Sequence, residues 1–197
     1  MKIKNLIDED FVNYKKPSMF IAVPNCDFKC DKECGEPVCQ NSELAATPSI
    51  EIEPEEIINR FNNNPITEAI VFGGLEPLYN KNGSSSFFHH FSGYLTDLNK
   101  GTDIVVYTGY YPEEIPYSSF QYWGALVDAI EGHLIFKFGR FIPNKPSRFD
   151  EVLGVELASN NQFAFDYMTK IPNITTARDY HSAVIKYGKE FRKTEAI

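Results

Sequence analysis

Four short apolar segments are spaced along the chain, and helical stretches lie between them. The apolar segments are Ser18–Val23 (SMFIAV), Glu68–Phe72 (EAIVF), Asp103–Tyr107 (DIVVY) and His133–Phe138 (HLIFKF). Such short, almost wholly apolar runs are typical of strands that are covered on both faces. Helices are predicted from Pro54 to just before Pro65, from Phe87 to about Leu98, and from about Glu113 to Leu126 or Val127. This alternation predicts βαβ units, an α/β fold and a mostly parallel sheet.

The pattern is less regular after Gly139. One further strand is predicted over Tyr180–Tyr187. The length of 197 residues and the hydrophobic fraction of 43% are those of one folded domain, which we expect to cover residues 1–197. The tail over residues 163–197 has no assigned role.

Charge and hydropathy restrict the partners and the compartment. The first twenty residues have no uninterrupted apolar stretch of the length of a signal peptide, and no later segment is long and apolar enough to cross a membrane. We therefore expect a cytoplasmic protein without a membrane partner. The net charge of −8 and the absence of basic blocks argue against a nucleic-acid partner.

Distinctive residues follow three of the predicted strands. The first strand leads into Cys26, the second ends in Gly73 and Gly74, and the third ends in Thr108 and Gly109. Ligands of parallel α/β sheets bind at the carboxyl ends of the strands. The three features are therefore expected to line one site.

The four cysteines of the chain all lie in one short loop. They are Cys26, Cys30, Cys34 and Cys39, with the spacing C-x3-C-x3-C-x4-C. Disulfides rarely persist in the cytosol, so a tight cluster of thiols there indicates metal or redox chemistry. Four thiolates suit a structural zinc ion. Thiolates also bind iron–sulfur clusters, and with three of them on a four-iron cube one iron stays open to a substrate.

Several motifs together resemble those of one enzyme superfamily. They are the cysteine loop with CQN at Cys39–Asn41, GGLEP at Gly73–Pro77, YTGY at Tyr107–Tyr110, GRFI at Gly139–Ile142 and SNNQ at Ser159–Gln162. In this combination the chain resembles the radical S-adenosylmethionine (SAM) superfamily, and within it the activating enzymes of the anaerobic ribonucleotide reductase. The resemblance covers residues 18–162 and implies an incomplete β/α barrel.

The resemblance also implies a set of metal ligands. The related enzymes have C-x3-C-x2-C, so Cys26 and Cys30 match, whereas the third ligand is either Cys34 or Cys39. We favour Cys39 because Gln-Asn follows it and the apolar Val38 precedes it, whereas a glutamate precedes Cys34. The residues between Cys30 and Cys39 then form an insertion, and Cys34 is a spare thiol or a fourth ligand.

The cofactors implied by the resemblance are a 4Fe–4S cluster and SAM. Gly73, Gly74 and Glu76 are expected at the methionyl amine, since glycines allow close approach of the backbone and Glu76 has the opposite charge. Thr108 and Tyr110 are expected to contact the ribose and the adenine.

The implied activity is reductive cleavage of SAM, followed by formation of a glycyl radical on the large subunit of the anaerobic ribonucleotide reductase. A flavodoxin- or ferredoxin-type protein would donate the electron. One alternative is a radical SAM enzyme that acts on another peptide or on a small molecule. Another is a non-enzymatic binding module that is stapled by zinc.

Overall fold

The computed structural model describes residues 1–80, 85–167 and 176–194. Its strands are β1 (Lys2–Ile3), β2 (Asn5–Asp10), β3 (Ser18–Ala22), β4 (Ile50–Glu51), β5 (Ala69–Gly73), β6 (Asp103–Tyr107), β7 (Leu134–Phe138), β8 (Arg148–Asp150), β9 (Val155–Leu157) and β10 (Phe163–Asp166). Its helices are α1 (Lys29–Cys34), α2 (Ser42–Ala46), α3 (Pro54–Asn63), α4 (Phe87–Phe91), α5 (Tyr117–Ile130) and α6 (Ala177–Thr194). Short 3₁₀ helices cover Ser92–Asp97 and Pro112–Glu114.

A six-stranded sheet in the order β10-β7-β6-β5-β3-β2 forms the centre of the molecule. The neighbours β3, β5, β6 and β7 are parallel. They coincide with the four apolar segments of the sequence, so the prediction of a mostly parallel α/β sheet is confirmed. The outer strands β2 and β10 are antiparallel to their neighbours, and they leave the sheet open rather than closed into a barrel. The incomplete β/α barrel stays a prediction.

Helices α3, α4 and α5 pack on one face of the sheet. The largest core joins alternate strand residues, such as Ile70 and Phe136, to Phe61 of α3, Phe88 of α4 and Trp123 of α5. The aromatic contacts in this core are close, since the rings of Trp123 and Phe136 stack with 4.2 Å between their centroids. Burial of these apolar side chains is the main driving force for this arrangement.

The opposite face of the sheet has a different cover. Tyr14, Leu153 and Leu157 lie over Val71 and Val105 and form a second, smaller core. They belong to the segment after β2 and to the β8–β9 hairpin, which the sequence pattern did not predict. This face is left partly open toward the carboxyl ends of the parallel strands, where the site lies.

The tail after residue 162 belongs to the same fold. β10 pairs with β7, and Val184 of α6 is completely buried in the main core. The predicted strand over Tyr180–Tyr187 is wrong, because this segment lies within α6. Tyr180, Val184 and Tyr187 have the i, i+4, i+7 spacing of one helical face, which explains the difference. Residues 168–175 of the tail lie outside the described residues.

Two other predicted elements differ in detail. The helix predicted from Phe87 to about Leu98 is divided into α4 and the 3₁₀ helix that follows it. The cysteine loop contains the short helices α1 and α2 instead of being wholly irregular. None of the helices within the described residues has the length and apolar character needed to span a membrane.

Candidate metal centre and adjoining cavity

A cavity of about 350 Å³ lies at the carboxyl ends of the parallel strands. The loops that follow β3, β5, β6 and β7 all reach it, as expected for an α/β sheet. The predicted site residues that line it are Cys26, Cys30, Cys39, Gly74, Glu76 and Thr108. The structure thus brings together segments that are far apart in the sequence.

Three of the four cysteines border this cavity. Cys26, Cys30 and Cys39 are among its lining residues, whereas Cys34, the last residue of α1, is not. All four are free thiols and partly buried. Over the described ranges, no three His, Cys, Asp or Glu side chains are grouped closely enough to hold a single metal ion. The lining of the cavity favours Cys39 over Cys34 as the third ligand, and the assignment itself stays a prediction.

Backbone amides point at two of these sulfur atoms. The Phe28 N–H donates to Cys26 Sγ at 3.3 Å, and the Phe141 N–H donates to the Cys30 sulfur. Burial, and to a smaller extent the nearby carboxylates of Glu76 and Asp27, raise the pKa of Cys26 to about 12, although the Phe28 N–H acts in the opposite direction. Burial also raises the pKa of Cys30. Metal loading would therefore release protons from these thiols, while the amides would stabilise the sulfur charge.

The chain between Cys30 and Cys39 forms a compact excursion. It runs through α1, which ends at Gly35 with φ of 73°, a left-handed conformation that suits glycine. Asp31 Oδ1 then accepts hydrogen bonds from the N–H groups of Val38 and Cys39, at 2.9 and 2.8 Å. The excursion consequently returns Cys39 to the edge of the cavity.

Glu76 is held by donors from two loops. It is 5% exposed, and its carboxylate accepts hydrogen bonds from the Thr108 hydroxyl at 2.7 Å, the Gly109 N–H at 2.7 Å and the Leu78 N–H at 3.0 Å. Burial raises the pKa of Glu76 to about 7, although these hydrogen bonds act in the opposite direction. Glu76 is thereby fixed at the cavity wall.

Thr108 and Tyr110 have partners within the protein. The Thr108 hydroxyl donates to Glu76 and also accepts from the Tyr110 N–H at 3.0 Å. The Tyr110 hydroxyl donates to Asp27 at 3.0 Å, and Lys29 Nζ lies 4.0 Å from the centroid of its ring. Tyr110 is not among the residues that line the cavity. In this geometry both side chains position other site residues, and contacts with a ribose or an adenine stay predictions.

The two glycines at the end of β5 are required by packing. Gly74 has φ of 72°, and a Cβ there would lie 2.8 Å from Leu44 Cδ2 and 3.1 Å from Ala22 Cβ. A Cβ at Gly73 would lie 3.2 Å from the ring of Phe20. The Gly73 carbonyl accepts from the N–H groups of Val23 and Leu75, which ties this turn to the start of the cysteine loop.

Arg140 is a site residue to which the sequence analysis assigned no role. Its side chain is 4% exposed and forms a forked pair with Glu114, with Nη1–Oε2 and Nη2–Oε1 distances of 2.7 and 2.8 Å. Arg140 also donates to Glu33 of α1, and Lys29 of α1 donates to Glu114 at 2.9 Å. This network connects α1 to the loops after β6 and β7. The signal in the sequence was the GRFI segment.

Lys137 is the second site residue that was not predicted from the sequence. It is 7% exposed, lines the cavity and donates to the Gly139 carbonyl at 2.7 Å. Burial lowers the pKa of Lys137 to about 8, against the opposing effects of Cys30, Glu76 and Asp150. The signal was a single charge within the apolar run HLIFKF, because a buried charge needs a partner or a function.

These donors and charges define a candidate thiolate-bound metal centre. Three thiols, two amides directed at sulfur and a buried cation suit an anionic iron–sulfur cluster. A comparison with protein families agrees with this chemistry, because the model of the 4Fe-4S single cluster domain matches residues 17–154. The chain belongs to this family, which supports a 4Fe–4S cluster as its cofactor. Searches of the curated proteins and of the solved structures gave no significant match.

Proposed function

We propose that the chain is a radical SAM enzyme and that it generates a glycyl radical on an anaerobic ribonucleotide reductase. The observation that carries the proposal is the shared cavity. Cys26, Cys30 and Cys39 border it together with the carboxylate of Glu76 and the ammonium group of Lys137. Cys26, Cys30 and Cys39 would hold the cluster, and Cys34 would stay outside the ligand set.

The charges of the cavity suit the methionyl end of SAM. An amino acid group has one ammonium and one carboxylate, and the buried residues of the cavity wall include the acid Glu76 and the base Lys137. Arg140 also lines the cavity, but its guanidinium is paired with Glu114. With pKa values of about 8 and about 7, Lys137 is mostly protonated and Glu76 is about half ionised at neutral pH, and a bound ammonium group would favour the ionised form of Glu76. Charge pairs in a site with little water are stronger than those at the surface. We propose that these two residues orient the cosubstrate and that Gly74 allows its close approach.

The cluster, when bound, supplies the electron for reductive cleavage of the sulfonium of SAM, which is chemistry that no side chain performs. The contribution of the chain is positional. Glu76 is fixed by Thr108 and Gly109, and α1 is fixed by Arg140 and Lys29 through Glu114. The wall that faces the cosubstrate is therefore rigid before binding, which lowers the cost of orienting it.

The acceptor of the radical is proposed from the sequence resemblance, which points to the large subunit of the anaerobic ribonucleotide reductase. A flavodoxin- or ferredoxin-type donor would supply the electron. The rim of the cavity supports a protein partner, because Val12 lines the cavity and is 73% exposed, and its neighbour Phe11 is 63% exposed. Contiguous exposed apolar patches mark interaction surfaces, and we propose that these two neighbouring side chains belong to one.

Anaerobic reconstitution tests the cofactor and the activity in order. We expect a brown protein with about four irons per chain, and formation of 5′-deoxyadenosine after addition of SAM and dithionite. Cys26→Ala is the control and should lose both properties. A colourless protein with one zinc ion would support a stapled binding module instead. A complete cluster that never yields 5′-deoxyadenosine would refute the radical SAM proposal.

The proposed partner needs a separate experiment. The purified chain is incubated with SAM, a reductant and the large subunit of the reductase from the same organism, and the radical signal on the subunit is measured. We expect a doublet in the electron paramagnetic resonance spectrum of the reductase, and this doublet should disappear when the acceptor glycine is replaced by alanine. Formation of 5′-deoxyadenosine without a radical on the reductase would assign the enzyme to another substrate.

A further inference from the structure

The excursion between Cys30 and Cys39 offers two candidate thiols for one ligand position. Cys34 follows Cys30 by four residues in α1, which places both on the same side of the helix. Cys39 is five residues further along and borders the cavity, as Cys30 does. A structural feature of this loop must therefore favour the more distant thiol, Cys39, as the third ligand.

Asp31, the neighbour of Cys30, makes the contacts that decide this choice. Its Oδ1 accepts from the N–H groups of both Val38 and Cys39, at 2.9 and 2.8 Å. Its backbone carbonyl accepts from the Gly35 N–H at 2.8 Å, where α1 ends. One residue thus ends the helix beside Cys34 and binds the backbone of Cys39. Hydrogen bonds from amides to a carboxylate are stronger than those between neutral groups.

Both ends of α1 are held by residues from outside the excursion. Glu33 accepts from Arg140, and Lys29 donates to Glu114 at 2.9 Å. These two contacts keep α1 in place, with Cys34 at its end and away from the cavity lining. The position of Cys39 depends in addition on the carboxylate of Asp31.

We propose that Asp31 is a positioning residue that assigns Cys39, and not Cys34, to the iron–sulfur cluster. This inference rests on the proposed cluster and is independent of the SAM chemistry. Without the carboxylate, the backbone at residues 38 and 39 loses its anchor. Cys34, which is closer along the chain, then competes for the third position.

The experiment measures which thiols the cluster protects. Wild-type protein and the variants Asp31→Ala, Asp31→Asn and Glu36→Ala are reconstituted anaerobically, treated with iodoacetamide and analysed by peptide mass spectrometry, with iron counted in parallel. The asparagine variant keeps an oxygen acceptor at the same position. Glu36 is exposed in the same loop and serves as the matched control. Because α1 has no buried residue, we expect all variants to fold.

In the wild type we expect Cys34 to be labelled and the other three cysteines to be protected. In Asp31→Ala the ratio of Cys39 to Cys34 labelling should rise at least about tenfold, the effect of losing one or two charge-assisted hydrogen bonds. Asp31→Asn and Glu36→Ala should keep the wild-type pattern.

Two results would overturn the inference. They are an unchanged pattern with full iron in Asp31→Ala, and protection of Cys34 in the wild type. Far-UV circular dichroism checks that each variant is folded. If Asp31→Ala does not fold, the more conservative Asp31→Glu replaces it. This variant displaces the carboxylate by one methylene and should shift the labelling ratio in the same direction. Labelling of all four cysteines in an iron-free wild type would instead refute the proposed function.

Discussion

Replacement of Arg140 by alanine should be among the most destabilising changes near the site. The side chain is 4% exposed and binds Glu114 through a forked pair of hydrogen bonds. It also donates to Glu33 and to the Gly109 carbonyl, and it lies 4.5 Å from the centroid of the Tyr111 ring. Its removal would leave Glu114 with only some of its partners and would separate α1 from the loop after β7.

The expected cost follows from the exposure of the partners. Removing one member of a buried pair costs about 3–5 kcal/mol, because the other charge stays uncompensated. The Glu114 side chain is 24% exposed and keeps Lys29 as a partner, so the lower end of about 3 kcal/mol applies. The Glu33 side chain is 51% exposed, so its bond with Arg140 adds little. For a chain of this length the expected decrease in Tm is roughly 6–12 °C.

The assay is urea denaturation of the cluster-free protein under reducing conditions, with Arg140→Lys and Glu33→Ala as matched controls. Lysine keeps the charge but not the fork, so an intermediate loss is expected. Glu33→Ala should cost about 0.5 kcal/mol. A loss below about 1 kcal/mol in Arg140→Ala, or an equal loss in Glu33→Ala, would refute the central role of the Glu114 pair.

The pH dependence gives a second readout of the same pair. Burial acts to raise the pKa of Glu114, but the Tyr111 N–H, Lys29 and Arg140 outweigh it and lower the pKa below 4.5. A carboxylate with a lowered pKa in the folded state stabilises the protein above its unfolded value, and this stability is lost as the pH falls through the folded pKa. The difference in the free energy of unfolding between wild type and Arg140→Ala should therefore decrease as the pH falls below 4.5.

Three further predictions concern the other site residues. Burial raises the pKa of Glu76 to about 7, so its proton is bound more tightly in the folded state than in the unfolded state. This group should therefore lower the free energy of unfolding by about 3 kcal/mol as the pH rises from 4.5 to 7, and Glu76→Gln should remove this pH dependence from urea denaturation measured across that range. Gly74→Ala should lower the free energy of unfolding by about 2–4 kcal/mol, because of backbone strain and overlap with Leu44. Gly101 has φ of 80° and open space around it, so Gly101→Ala should lower the free energy of unfolding by only about 1–2 kcal/mol, and equal losses would contradict the packing argument. Cys39→Ala should lose the reconstituted iron and the visible absorption of the cluster, whereas Cys34→Ala should keep both, and the reverse result would exchange their roles.

The strands of the parallel sheet were predictable because each is buried on both faces. The run from Asp103 to Tyr107 matches β6 at both ends, and the other three apolar segments match β3, β5 and β7 to within one residue at each end. The other strands of the described residues were not predicted, and they include the outer strands β2 and β10 of the central sheet. β8 and β9 have three residues each and are only partly buried, so their sequence does not have a continuous apolar pattern.

The positions of the cysteines and glycines at strand ends were also predictable, since local sequence order places them there. Their contacts were not. The bond from Arg140 to Glu33 joins residues 107 positions apart, and the hydroxyl of Thr108 reaches a carboxylate 32 positions away. No local pattern encodes such pairs, so the sequence alone did not assign a role to Arg140 or Lys137.

The sequence by itself determined the class of chemistry and the four parallel strands that support it, because clustered thiols and buried apolar runs are properties of neighbouring residues. Only the tertiary structure decided which thiols border the cavity and which charges face them, because these depend on loops that converge from four strands. The return of Cys39 to the cavity is the clearest case. It depends on two hydrogen bonds to Asp31 that exist only after the excursion has folded back on itself.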